Sequence, residues 1–91
     1  MTPKIPEAIR LLRVDLGWSR ERLAIALAVR YQTISRYERG DMPEIPILRR
    51  LAMLANQNGR QDLAAIFLEE MAARLDLSLD GLSAAANIAA A

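Results

Sequence analysis

The sequence predicts an all-α protein of five short helices, and three observations support this prediction. Apolar residues form 53% of the chain while aromatic residues form only 4%, so Leu, Ile and Ala supply most of the apolar content. These residues favour helices over strands. Apolar positions recur at helical spacing in several segments, and no segment shows the strict alternation typical of a half-buried strand.

The first predicted helix covers 6–16. Pro6 fits the first helical position, Glu7 complements the positive end of the helix dipole, and Gly17 is a natural stop. Its apolar stripe consists of Ile9, Leu12 and Leu16. The second helix begins after Ser19, a good N-cap, and ends near residue 27. Its core positions are Leu23, Ala24 and Leu27.

The third predicted helix covers 31–38 and ends before Gly40. Only Ile34 and Tyr37 form an apolar seam along it. Its other side carries the polar and aromatic residues Tyr31, Gln32, Ser35 and Arg36. A short helix with such a narrow seam leaves its polar side free to enter a groove.

A loop with two prolines precedes the fourth predicted helix, which covers 46–55. The fifth covers 61–75, and its apolar set is broader than one core stripe needs. That set consists of Leu63, Ile66, Phe67, Leu68, Met71 and Leu75. The Ala-rich tail that follows is compatible with a longer helix or with a loose segment.

Composition and charge restrict the function. The chain has 91 residues, so one domain is expected, and it contains neither Cys nor His. Ser residues therefore lack an activating His, and we expect no catalytic residue, metal or cofactor. Residues 1–58 hold ten Lys/Arg and six Asp/Glu, a balance of +4, whereas residues 59–91 hold two Arg and five acids, a balance of −3. The basic first part suits a polyanion. The lack of a signal-like apolar run predicts a cytoplasmic protein with no membrane contact.

The segment "SRERLAIALAVRYQTISRYERG" contains two short helices joined by a tight turn, which is the pattern of a helix-turn-helix over about 19–40. Ala24 is small where the two helices must cross closely, and Val29 fills the turn. With the flanking "LR…GW" and "P…LRRLAMLA", the chain from Ile9 to about Ala55 resembles the lambda-repressor-like, Cro/C1-type (XRE) helix-turn-helix family. This resemblance implies a DNA-binding domain over 1–58 and a C-terminal helical extension over 59–91.

The resemblance also implies roles for individual residues. The second motif helix would lie in the DNA major groove, with Tyr31, Gln32 and Arg36 facing bases and Thr33 and Ser35 nearby. Arg36 can pair with guanine and Gln32 with adenine. Phosphate contacts are expected from Arg20, Arg30 and Arg39. Arg13 and Glu38 match a structural salt bridge of the family.

Three positions depart from the family pattern, and one of them is Tyr31, which is unusual at the first base-facing place. The turn usually carries Gly where this chain has Ala28, which costs about 1 kcal/mol if the backbone is left-handed there. The recognition helix usually opens with Ser or Thr, whereas Arg30 stands at that position and is a poor cap. Arg49 and Arg50 fit a solvated face or a DNA contact equally well.

The broad apolar face of the fifth helix allows two interpretations. The tail folds back over it, or it forms a homodimer interface with Phe67, Leu68, Met71 and Leu75 as candidates. We favour the dimer because one recognition helix touches few bases, and a two-fold dimer would read a symmetric operator.

The sequence thus predicts a dimeric, sequence-specific transcription regulator, most simply a repressor or autoregulator of phage, plasmid or antitoxin type. The alternative is a protein-interaction module in which the fifth helix binds a partner protein and DNA binding is weak. Salt separates the two, because phosphate contacts weaken steeply as salt rises and apolar contacts do not.

Overall fold

The computed structural model describes residues 3–90, and it describes the side chains of residues 3–75. Within that range it contains five helices and no strand, which confirms the all-α prediction. The helices are α1 (Ile5–Asp15), α2 (Arg20–Leu27), α3 (Tyr31–Arg39), α4 (Ile45–Gln57) and α5 (Gln61–Ala90). The ends of α1 to α4 lie within two residues of the predicted ones. None of the helices described is long and apolar enough to cross a membrane.

One hydrophobic core is shared by all five helices. Its largest fully buried side chains are Ile9, Leu12, Leu23, Leu27, Ile34, Leu48, Leu51, Leu63 and Phe67. The first turns of α5 therefore belong to the same core as α1 to α4. The expected division between residues 58 and 59 separates two stretches of sequence but does not separate two cores.

Helix α5 is longer than the predicted fifth helix. The sequence predicted a helix over 61–75 and left the tail open, whereas the backbone continues as a helix to Ala90. The Ala-rich composition of this stretch favours the helical state. The side chains of the tail lie outside the described residues.

The turn between α2 and α3 has a left-handed backbone at Ala28, which is the condition under which Ala is costlier than Gly there. Ala28 has φ 57° and ψ 43°, and it is the sole non-glycine residue with positive φ among residues 3–90. The amide of Val29 donates a hydrogen bond to the carbonyl of Ala24 at 3.0 Å, which closes the end of α2. Ala28 thus carries the steric cost that Gly avoids.

Replacing Ala28 with Gly should raise the melting temperature. Relief of the left-handed strain contributes about 1 kcal/mol, which corresponds to roughly 4–8 °C for a domain of this size. Thermal denaturation followed by circular dichroism measures the shift. The matched control is Ala26→Gly, in the exposed interior of α2, where the same change should lower the melting temperature. Equal effects at both positions would contradict the strain argument.

Two arginines tie distant elements together. The Nη1 atom of Arg50 on α4 donates to the carbonyl oxygen of Leu27 at 2.7 Å, so it satisfies an acceptor at the C-terminus of α2. Arg74 on α5 pairs with Glu70 at 3.2 Å and donates to the carbonyl of Pro43 in the loop between α3 and α4. These bonds hold the turn of the helix-turn-helix segment and the loop that follows α3 against the later helices.

Candidate nucleic-acid interface

Helix α3 presents one side to the core and the other to solvent. Its core side carries Ile34, which is fully buried, and Tyr37, which is 9% exposed. At 100° per residue, five residues share a contiguous arc of roughly 140° on the other side. These residues are Tyr31, Gln32, Ser35, Arg36 and Arg39. Below, this arc is called the recognition face.

The predicted base-facing residues are not equally accessible. Tyr31, Gln32 and Arg36 are exposed, and Ser35 is half-buried between them on the recognition face. Thr33 is half-buried and lies outside the arc, on the side of α3 next to Tyr37. The structure therefore brings four of the five predicted residues onto one surface and leaves Thr33 at its margin.

Arg36 has an anionic neighbour within its own chain. Its Nε atom lies 3.9 Å from a carboxylate oxygen of Asp41, and both side chains are more than half exposed. An exposed pair at this distance contributes little to stability, so it does not fix the guanidinium. Arg36 retains the freedom to reach a base edge.

Beneath the recognition face, Arg13 of α1 and Glu38 of α3 form a two-pronged ion pair. The Nε–Oε2 distance is 2.8 Å and the Nη2–Oε1 distance is 3.1 Å. The third nitrogen of Arg13 donates to the carbonyl of Trp18 at 3.1 Å. The side chain of Glu38 is only 5% exposed, so the pair is nearly closed to water. It joins α1, α3 and the α1–α2 loop.

Arg20, at the first position of α2, extends this network to the surface. Its Nε atom donates to Glu38 Oε1 at 3.3 Å, and its side chain is 44% exposed. Hydrogen bonding to Tyr31, and then to Glu38, raises the pKa of Arg20. The bond to Glu38 therefore holds Arg20 beside α3 while part of its side chain remains exposed to solvent.

The other predicted phosphate contacts flank α3 at its two ends. Arg30 is the exposed N-cap residue and makes no side-chain cap hydrogen bond, as its poor capping ability predicts. Arg39 is exposed in the last turn, where its Nε atom donates to the carbonyl of Ser35 at 3.3 Å. Their positions put positive charge at both ends of α3.

The four candidate dimer contacts on α5 occupy different environments. Phe67 is fully buried in the core of its own chain, so its assignment to a dimer interface is wrong. Met71 is half-buried and packs against that core. Leu68 and Leu75 are 48% and 44% exposed. Only these last two offer a substantial apolar surface to a partner.

Sequence reasoning missed three side chains that shape this region. It treated Arg50 as a surface residue or a DNA contact, and it gave Arg74 no role, although both bond to backbone carbonyls. It gave Arg22 no role; this residue is exposed, and its guanidinium lies 5.3 Å from the ring centre of Trp18. Arg50 and Leu27 are 23 residues apart, which is beyond the range of local sequence signals, so no periodicity in the sequence connects them.

Comparison with known proteins agrees with this geometry. Residues 9–56, more than half of the chain, match a family model described as helix-turn-helix, of the Cro/C1 type. Searches among curated proteins and among solved structures gave no match. The matched range begins in α1 and ends in α4, so it contains the whole recognition face and the Arg13–Glu38 pair. This chain therefore belongs to the Cro/C1-type (XRE) helix-turn-helix family of DNA-binding transcription regulators.

Proposed function

We propose that this regulator reads a specific DNA sequence as a homodimer and acts as a repressor or autoregulator. The observation that carries the proposal is the recognition face of α3, where Gln32 and Arg36 are exposed side by side. Arg36 supplies two donors for guanine, and Gln32 supplies one donor and one acceptor for adenine. Each contact would contribute about 1–3 kcal/mol of discrimination between bases.

The surface of α5 supports the dimer. Leu68, Ala72 and Leu75 are exposed and follow a spacing of four and then three residues. The sequence continues this alternation with Leu79 and Leu82 inside the same helix. An apolar 4–3 repeat on a helix is the pattern by which two helices pair along their length. A two-fold dimer would bind half-sites about 10–10.5 bp apart, centre to centre.

The double substitution Leu68→Glu with Leu75→Glu should convert the dimer to a monomer. Four negative charges would meet across the proposed helix pair, where apolar contact is needed. Sedimentation at several protein concentrations measures the mass. The control is Met53→Glu on α4, which is 52% exposed and lies outside this surface. A wild-type protein that stays monomeric at high concentration would refute the dimer.

Selection from a randomised duplex pool, at moderate salt, tests the proposed function. We expect enrichment of a two-fold symmetric motif. An enriched motif without symmetry would refute the dimeric reading of DNA and support sequence-specific binding. No enrichment by a folded protein would refute specific readout and favour the alternative, in which the apolar surface of α5 binds another protein.

A further inference from the structure

A trough with several basic side chains crosses the side of the molecule formed by α1, α2 and α3. Its middle is an open depression of about 330 Å³ lined by Arg10, Arg20, Ser35, Glu38 and Arg39. A second depression shares Arg10, Glu38 and Arg39 and continues to Lys4 and Glu7 at the start of α1. A third shares Arg20 and continues to Glu21 and to Tyr31 at the start of α3. The three together are called the trough below.

The middle of the trough has a local excess of positive charge. Three guanidinium groups line it, against the single carboxylate of Glu38. That carboxylate is 5% exposed and already accepts hydrogen bonds from Arg13 and Arg20. Its charge is therefore compensated within the protein. An anion entering the middle of the trough would meet mainly the arginines, whereas Glu7 and Glu21 lie in its two end depressions.

Among the arginines of the trough, Arg10 is the one to which the helix-turn-helix resemblance assigned no role. It is exposed on α1, and within residues 3–75 it has no ion-pair partner. Arg39 and Arg20 differ, because each is fixed through its Nε atom, to Ser35 and Glu38 respectively. Each of these two side chains still carries four N–H donors on its terminal nitrogens. Arg10 thus completes a set of donors from three helices.

The direction of the trough relates it to the recognition face. Tyr31, Ser35 and Arg39 belong to both, so the trough overlaps the part of the face that adjoins Glu38. A strand bordering the groove that receives this face would pass along the overlap. The trough extends from Lys4 to Tyr31 and is open along its length, a shape that suits a continuous polyanionic strand better than a small isolated anion.

We propose that the trough binds the phosphodiester backbone of one DNA strand, with one phosphate held between Arg10, Arg39 and Arg20. Helix α1 then contributes a DNA contact outside the helix-turn-helix motif. This inference rests on the proposed function, because it takes α3 to lie in the major groove. The phosphate contact would add affinity for DNA of any sequence, since phosphate contacts carry no base information.

The test compares Arg10→Ala with wild type on a mixed-sequence duplex and, where selection yields one, on the selected duplex. Affinity is measured between about 50 and 200 mM salt. Loss of one phosphate contact makes the negative slope of log K against log salt shallower by about 0.9. The ratio of the wild-type affinity to the variant affinity should therefore fall about 3.5-fold from the low to the high end of this range. The control is Arg22→Ala, which removes the same charge from α2 outside the trough and should keep the wild-type slope.

Four outcomes decide the matter. A reduced slope for Arg10→Ala alone supports the phosphate contact. A wild-type slope for this variant, with DNA binding intact, overturns the inference and leaves the proposed function standing. Equal slope losses for both variants indicate a diffuse charge effect and overturn it as well. Absence of duplex binding by the wild-type protein overturns both proposals.

A second measurement distinguishes a DNA strand from a small anion. Inorganic phosphate is titrated into the wild-type protein and into Arg10→Ala, and the melting temperature is followed. We expect no saturable shift that depends on Arg10. A saturable, Arg10-dependent shift at millimolar phosphate would show a small-anion site and overturn the assignment to the DNA backbone.

Discussion

Glu38→Gln should lower the free energy of unfolding by about 3 kcal/mol, since breaking one partner of a buried ion pair costs roughly 3–5 kcal/mol. The carboxylate is 5% exposed and accepts both bonds from Arg13, whose side chain is 15% exposed. Glutamine keeps the shape but leaves the guanidinium without a counter-charge. The melting temperature should fall by about 12 °C or more.

Thermal and urea denaturation both measure this effect. Glu69→Gln on α5 is the matched control, because Glu69 is exposed and its substitution should change stability by less than about 0.5 kcal/mol. A second variant combines Arg13→Met with Glu38→Leu. Because it removes both charges, it should recover part of the lost stability. Equally small losses of unfolding free energy for Glu38→Gln and for the control would show that the ion pair does not stabilise the fold.

Arg36→Ala should reduce discrimination at one base pair of the selected sequence by roughly 5- to 150-fold, the equivalent of 1–3 kcal/mol. The guanidinium is exposed, and its ionic neighbour among the described side chains, Asp41, is 3.9 Å away. Truncation removes both donors that would pair with guanine. Affinity for the selected duplex and for duplexes altered at each position measures the loss.

Arg36→Lys separates base reading from charge. Lysine keeps the positive charge but lacks the two-pronged fork, so it should retain the salt dependence while losing much of the discrimination. Unchanged preference at every position in both variants would remove Arg36 from base readout. Stability should be unaffected in either case, because the side chain lies outside the core.

Local signals predicted most of the fold. Ser19 accepts a hydrogen bond from the amide of Arg22 at 3.1 Å, which is the N-cap that its position suggested. Gly40 ends α3, and Pro6 and Pro46 lie in the first turns of α1 and α4. These features depend on neighbours a few residues away, so the sequence displays them directly.

Contacts between distant parts of the chain were harder to predict. Helical spacing identified Phe67, Leu68, Met71 and Leu75 as one apolar set, but it did not tell which of them the chain itself covers. Burial of Phe67 depends on how α5 crosses α1 and α4. The same holds for Arg10, whose proposed role depends on the approach of α1 to the end of α3.

The two sides of α3 give this protein unequal scope for evolutionary change. Glu38 accepts hydrogen bonds from both Arg13 and Arg20, so a change there would disturb the ion pair and also the placement of Arg20. Gln32 and Arg36 are exposed, and substitutions at such positions usually alter stability by less than about 0.5 kcal/mol. Under the proposed function, exchange of these two residues would change the operator and leave the fold intact. Anyone retargeting the protein should vary positions 32 and 36 and leave position 38 unchanged.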